Sequence, residues 1–283
     1  MLLTPTHRLQ RVQLSLIHPR LFHTLALNEP IIQNAPPSGP NAAYFTSSRS
    51  DLWPSREKAQ ALFRKNPFFK HWDLRAFDLF LQYGLRDTPS AIYPEAAAGA
   101  VTLMTTKHQE AWSYVRSNFT AQSTDRQDPT ERLVSPDMDP DNEGSYLFHR
   151  AEPCLALQSL PHIRPSTLWI FGAKSPINTP ALQVEKLALT GTGVGGSGGE
   201  KAGRVTKIDL DAGHMAPLER VKETAETLAR WLEKELERFK KEEIFYRNYN
   251  SGKSERHMMV LSKQWMAGVR QKANIKRPIK GKL

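Results

Sequence analysis

Gly203-Arg204-Val205-Thr206-Lys207-Ile208-Asp209-Leu210 runs directly into Asp211-Ala212-Gly213-His214-Met215-Ala216-Pro217-Leu218-Glu219. The first segment alternates apolar and polar positions, with Val205, Ile208 and Leu210 available for burial, so it reads as a short strand. Downstream, Leu218, Val221, Ala225, Leu228, Leu232, Leu236 and Phe239 recur every three or four residues, the stripe of a helix lying on a core. Pro217 falls in the first turn of that helix, where a missing N–H is tolerated. A strand, a Gly-His turn and a helix set the His214 imidazole at the carboxyl end of a strand, where ligands and chemistry gather in α/β folds. A histidine in this place equally serves as a cap or a loop hydrogen bonder, so other segments must decide between the readings.

Working outward, Ser166-Thr167-Leu168-Trp169-Ile170-Phe171-Gly172 is a continuous apolar run, as in a central parallel strand covered on both faces. Lys174-Ser175-Pro176 follows it, and Pro180 to Leu189 reads as a helix. Near the beginning, Leu9 to Ile17 has a helical apolar pattern that Pro19 ends. Leu21 to Leu27 reads as a buried strand leading to Asn28-Glu29-Pro30, so a carboxylate stands just past a strand end, where a single acid more often only caps or solvates a turn.

Between these core segments the sequence changes character. Pro36 to Pro40 is a Pro, Ser and Gly loop, Trp53-Pro54-Ser55-Arg56 opens a helix, and Phe68 to Arg86 is aromatic helical material. The region reads as a helical insertion whose aromatic residues pack together, or line a lid over an apolar pocket. Thr120 to Gly144 is polar, with Pro129, Pro136 and Pro140. Its alternating Asp137, Asp139 and Asp141 lack the glycine and terminal glutamate of a calcium loop. The expected organisation is 1–45 core, 46–150 insertion and polar loop, 151–240 carboxyl-terminal core and 241–283 basic tail.

Composition excludes several classes. With one cysteine no internal disulfide forms, which points to a reducing compartment, and no apolar run approaches the length of a bilayer. The net charge of +10 lies almost wholly in the tail: from Lys234 to Leu283 there are 14 Lys or Arg against 5 Glu. Nucleic-acid binding would need aromatic platforms or a recognised motif beside that charge, so a solvated tail is the reading preferred here. Cys154, beside helix-like Leu155-Ala156-Leu157, reads as packing, with pairing to His214 the alternative.

Gly191-Thr192-Gly193-Val194-Gly195-Gly196-Ser197-Gly198-Gly199 spells both G-x-G-x-x-G and G-x-S-x-G. Each motif works only after a strand and before a helix; here a helix precedes and a strand follows, so the run is a loop. Together with His18-Pro19-Arg20-Leu21 through Glu29-Pro30, Trp53-Pro54-Ser55-Arg56, Tyr83-Gly84-Leu85-Arg86, Lys107-His108-Gln109-Glu110, Leu168 to Gly172 and Gly213 to Glu219, it resembles fungal α/β-hydrolases of the peroxisomal lipase and host-selective-toxin biosynthesis type. The resemblance runs from about Leu9 to Leu236 and implies a partial α/β-hydrolase fold, the carboxyl-terminal half of a mostly parallel sheet with a helical cap.

It further implies a serine hydrolase of ester or lipid-like acyl substrates, without cofactor or metal, in which His214 is the general base and Glu29 the orienting acid. Asp209 and Asp211 stand as alternatives for the acid. The family's nucleophile elbow belongs ahead of the helix that begins near Leu9, and the preceding eight residues hold none; the expectation is a shortened, inactive chain, or else a non-catalytic binding module. The terminal Gly281-Lys282-Leu283 resembles an S-K-L address read by the peroxisomal import receptor, which implies a peroxisomal location with the cytoplasm as alternative.

Overall fold

The computed structural model describes residues 5–37, 41–117 and 148–270. The polar aspartate-rich loop and the terminal Gly281-Lys282-Leu283 lie outside the described residues. The chain divides into two compact units, Met1–Leu232 and Glu233–Leu283.

The core of the first unit is a parallel sheet in the order β1, β7, β8, formed by Thr24–Asn28, Ser166–Gly172 and Val205–Leu210. All seven residues of β7 are buried, as its unbroken apolar run requires of a central strand. Alternation of side chains divides the core in two. Trp169 and Phe171 pack with Val12, Leu25, Leu27, Ala156 and Leu160 on one face. Leu168 and Ile170 pack with Leu210, Ala212, Ala216 and Trp231 on the other. Helices Pro5–Ile17 and Ala151–Ser159 cover the first face, and the start of helix Val221–Tyr249 covers the second. Trp231 is tied down by donating its indole N–H to Thr24 Oγ1 at 2.8 Å.

β1 and β7 are separated in sequence by the insertion, which differs from the expected all-helical one. Leu52–Trp53 (β2), Leu85–Asp87 (β3) and Val101–Leu103 (β4) form an antiparallel sheet in the order β2, β4, β3, with β5 (Arg116–Ser117) and β6 (Phe148–His149) paired separately. Trp53 therefore lies in a strand, and the helix begins at Arg56 behind the Ser55 cap. Strands of two or three residues are too short to show a period of two. Their pairing comes from tertiary contacts, with Trp53, Leu85, Val101 and Leu103 forming one small core.

Two other boundaries move. The first strand starts at Thr24 rather than Leu21, because Leu21 is exposed. The long helix buries Thr224, Thr227 and Trp231, with Leu228 partly buried against the same core and Leu232 about half exposed, so the face that meets the sheet coincides only in part with the apolar stripe.

In the second unit this helix continues to Tyr249, into the segment expected only to be a basic tail. Arg238 there pairs with Glu235 one turn back and with Glu242 at 2.9 Å one turn on, and such pairs sustain a helix whose apolar period has lapsed. Two short helices follow, Glu255–Met259 and Lys263–Val269, each opened by a serine cap.

Candidate active site

Two turns at the carboxyl ends of the parallel strands bring the sequence candidates together. Glu29 follows β1 immediately, with its backbone in the left-handed region at a φ of 45°. That conformation costs a non-glycine residue about 1–2 kcal/mol and persists only where its surroundings over-determine it. Here the Glu29 N–H donates to Ile170 O at 2.8 Å, and its carboxylate is held from four directions. Gly172 N–H donates to Oε1 at 2.7 Å; Ser175 Oγ and Asn178 Nδ2 donate to Oε2 at 2.7 and 3.0 Å. The fourth partner is His214, whose Nδ1 lies 2.9 Å from Oε2.

The histidine turn is fitted just as closely. Ala173 N–H and Lys174 N–H, just after β7, donate to Leu210 O and Ala212 O, so the turn after β8 is stitched to the one after β7. At Gly172 an added Cβ would stand 2.2 Å from Gly213 O and 2.6 Å from Ala212 O, so only glycine permits this approach. Glu219 reaches back from the helical turn Ala216–Glu219 to accept from Gly213 N–H at 2.8 Å. His214 itself is neither buried nor free in solvent: its side chain is 23% exposed, whereas that of Glu29 is fully covered. The insertion touches the same turn. Met215 and Leu218 pack against the cluster of Trp72, Phe77 and Leu81, and Asp73 N–H donates to Leu218 O at 2.8 Å.

The alternative acids face elsewhere. Asp211 pairs with Lys174 and Arg220, and Asp209 with Lys207. Cys154 is partly buried, with its thiol donating to the carbonyls of Gln33 and Asn34. The glycine run forms a loop closed by Gly191 N–H to Leu160 O and Ser197 N–H to Ile163 O, with a helix before it and a strand after it. Among the described residues there is no cluster of three His, Cys, Asp or Glu side chains suited to a metal.

Burial pushes the Glu29 carboxyl up, but the hydrogen bonds from His214, Ser175, Gly172 and Asn178 outweigh it, so Glu29 is held below the ordinary glutamate value of 4.5. The stability it contributes is thus complete above that value and is lost as pH falls through the lower folded one. Glu29→Gln is expected to flatten the acid limb of the melting temperature against pH; an unchanged limb would mean the carboxylate is not ionised in the folded chain.

Sequence reasoning passed over two members of this site. Asn178 is buried and places its amide between Glu29 and the fully buried Lys186, whose ammonium donates to Asn178 Oδ1 and, at 3.4 Å, to Pro30 O. Burial pushes the Lys186 ammonium down to about 8, against the opposing pull of the Glu29 and Glu185 charges. A lysine on an otherwise ordinary helix carries no local signal of burial. Only the lack of an exposed position at its place on Pro180–Leu189 would have revealed it.

A parallel sheet with a histidine turn after its last strand, facing a buried carboxylate after its first, is the arrangement of a partial α/β-hydrolase fold. The solved peroxisomal α/β-hydrolase Lpx1 of Saccharomyces cerevisiae superposes with a TM-score of 0.53 over 90% of this chain and 61% of its own, at 13% identity. No family model matches the chain. In sequence it is 35% identical over 279 residues to the type I acyl-CoA thioesterase mpaH of Penicillium roqueforti, covering 89% of this chain and 61% of that protein. It is 27% identical over 234 residues to the abhydrolase domain-containing protein ACTT2-1 of Alternaria alternata, covering 80% and 79%. The chain spans about three-fifths of the length of the thioesterases it matches. The resemblance to fungal α/β-hydrolases rests on these relatives and on the shared fold.

Proposed function

We propose that Glu29 and His214 are the acid and base of a serine-hydrolase machinery acting on acyl esters or thioesters. The observation that carries this is the 2.9 Å contact between the buried carboxylate and Nδ1 of a partly exposed imidazole. A carboxylate at Nδ1 fixes the tautomer that bears its proton there. Nε2 is then left as the acceptor for a nucleophile's proton and, later, the donor to the leaving group. Glu29 also stabilises the imidazolium formed in between. The thioesterase name of one set of relatives and the abhydrolase name of the other support hydrolysis of an acyl substrate, and a link to fungal secondary metabolism belongs to the same reading. Packing of the aromatic cluster on Met215 and Leu218 supports the insertion, within residues 46–150, as a cap over an apolar acyl group.

The sequence holds no G-x-S-x-G between a strand and a helix, so the nucleophile in this reading comes from sequence outside residues 1–283, and these residues alone are inactive. Peroxisomal residence through Gly281-Lys282-Leu283 and its import receptor belongs to the same proposal, supported by the peroxisomal name of the solved neighbour.

Fluorophosphonate labelling tests it. Residues 1–283 are expected to remain unlabelled. The protein extended by the genomic sequence upstream of Met1 is expected to be labelled on a serine, and more slowly after His214→Ala. Labelling of residues 1–283 themselves, or an extended protein that never labels, would favour the non-catalytic module.

A further inference from the structure

The buried lysine is the group in this site for which the acid-base pair alone gives no reason. Lys186 is fully buried in the helix Pro180–Leu189, and lysine is almost never so placed unless its charge is matched. Among the described residues no carboxylate pairs with it directly. Instead the Asn178 amide stands between, giving its N–H to Glu29 Oε2 at 3.0 Å and its carbonyl to the Lys186 ammonium. This orientation is dictated by chemistry: a carboxylate can only accept and an ammonium only donate, so the amide has one satisfied pose. Gln183 Nε2 fixes the Asn178 backbone by donating to its carbonyl at 2.9 Å, and Pro30 O, one residue beyond Glu29, takes a second lysine proton.

We infer that Lys186 is a positioning residue for the acid-base pair: through Asn178 it holds the Glu29 carboxylate ionised and aimed at His214. The inference rests on the hydrolase reading of that pair. Among the described residues, the groups that touch the Glu29 carboxylate are the neutral donors Ser175, Asn178 and Gly172 N–H and the His214 ring, with Lys186 the buried cation behind Asn178. Glu185 adds a second negative charge near the lysine, and the Lys207 ammonium stands 5.9 Å from the centre of the Phe171 ring, as Lys186 also does. In an interior of low dielectric a charge one amide away still acts strongly, so removing it makes the carboxylate easier to protonate.

The test uses the full chain. Carboxyl carbon NMR of Glu29 is followed against pH in the unaltered protein, Lys186→Met, Lys186→Gln and Ser175→Ala. Both lysine variants are expected to shift the Glu29 titration upward, and with it the pH at which the His214 Nδ1 proton moves upfield. Ser175→Ala, which removes a direct donor to the same oxygen, is expected to shift it upward too and sets the scale for the lysine variants. Melting temperatures provide a second readout that needs no assignment. The loss on Lys186→Gln should be largely abolished when Glu29→Gln is already present, because the lysine then has no carboxylate to serve. An unmoved Glu29 titration together with an equal loss in both backgrounds would overturn the inference and make Lys186 a prop for the Pro30 carbonyl. That failure leaves the fluorophosphonate result untouched, so the two readings fall separately.

Discussion

Replacing His214 with alanine in the extended protein is expected to lower acyl-ester turnover about a hundredfold to ten-thousandfold, the range that a positioned general base contributes. The fall belongs in kcat and not in KM, since the imidazole acts on a proton in flight rather than on the bound acyl chain. Glu29→Gln should give a loss in the same range by a different route. An amide at the same place can donate to Nδ1 and so favours the wrong tautomer, with the proton on Nε2. Asp209→Asn and Asp211→Asn separate this from the alternative acids. Asp211 is two-thirds exposed and paired with Lys174 and Arg220, and Asp209 is paired with Lys207, so turnover should be unchanged in both. Turnover that survives His214→Ala would remove the imidazole from the chemistry.

The second large effect is structural. Gly172→Ala introduces a Cβ that would lie 2.2 Å from Gly213 O, a backbone atom that cannot turn aside as a flexible side chain could. The histidine turn must move, and because Gly172 N–H also donates to Glu29 Oε1, both halves of the site are displaced together. A destabilisation of about 1–3 kcal/mol is expected, as for other overpacked sites, with the His214 to Glu29 hydrogen bond lost. Gly268→Ala is the control, since nothing lies within 4 Å of its added Cβ. Thermal melting and the His214 proton spectrum report the two consequences. A Gly172→Ala protein with both unchanged would mean the two turns do not meet as described.

The parts legible in the sequence are those with a long signal. Ser166–Gly172 declares a central strand because seven consecutive buried positions leave no polar residue but small hydroxyls. His214 and Glu29 were found as residues just past strand ends, and the sheet brings them together across 185 positions of sequence. What escaped had no local mark. The strands Leu52–Trp53 and Leu85–Asp87 are set by partners far along the chain, and Asn178 lies in a loop like any other. The face of the long helix was misjudged because Thr224, Thr227 and Trp231 turn inward. A threonine methyl and an indole whose N–H meets Thr24 are satisfied there beside Leu228, while Leu232 of the apparent stripe is about half exposed. Lys186 shows the general difficulty: a charge is buried when another buried charge lies near, and nearness is a property of the fold.

Catalysis in this site depends on the Glu29 carboxylate holding the proton of His214 on Nδ1. Two-bond proton–nitrogen correlation of the imidazole in the full chain at neutral pH measures this directly. A protonated Nδ1 with a downfield proton that disappears in Glu29→Gln is expected. An unprotonated Nδ1 with the proton on Nε2, unchanged by that substitution, would contradict it.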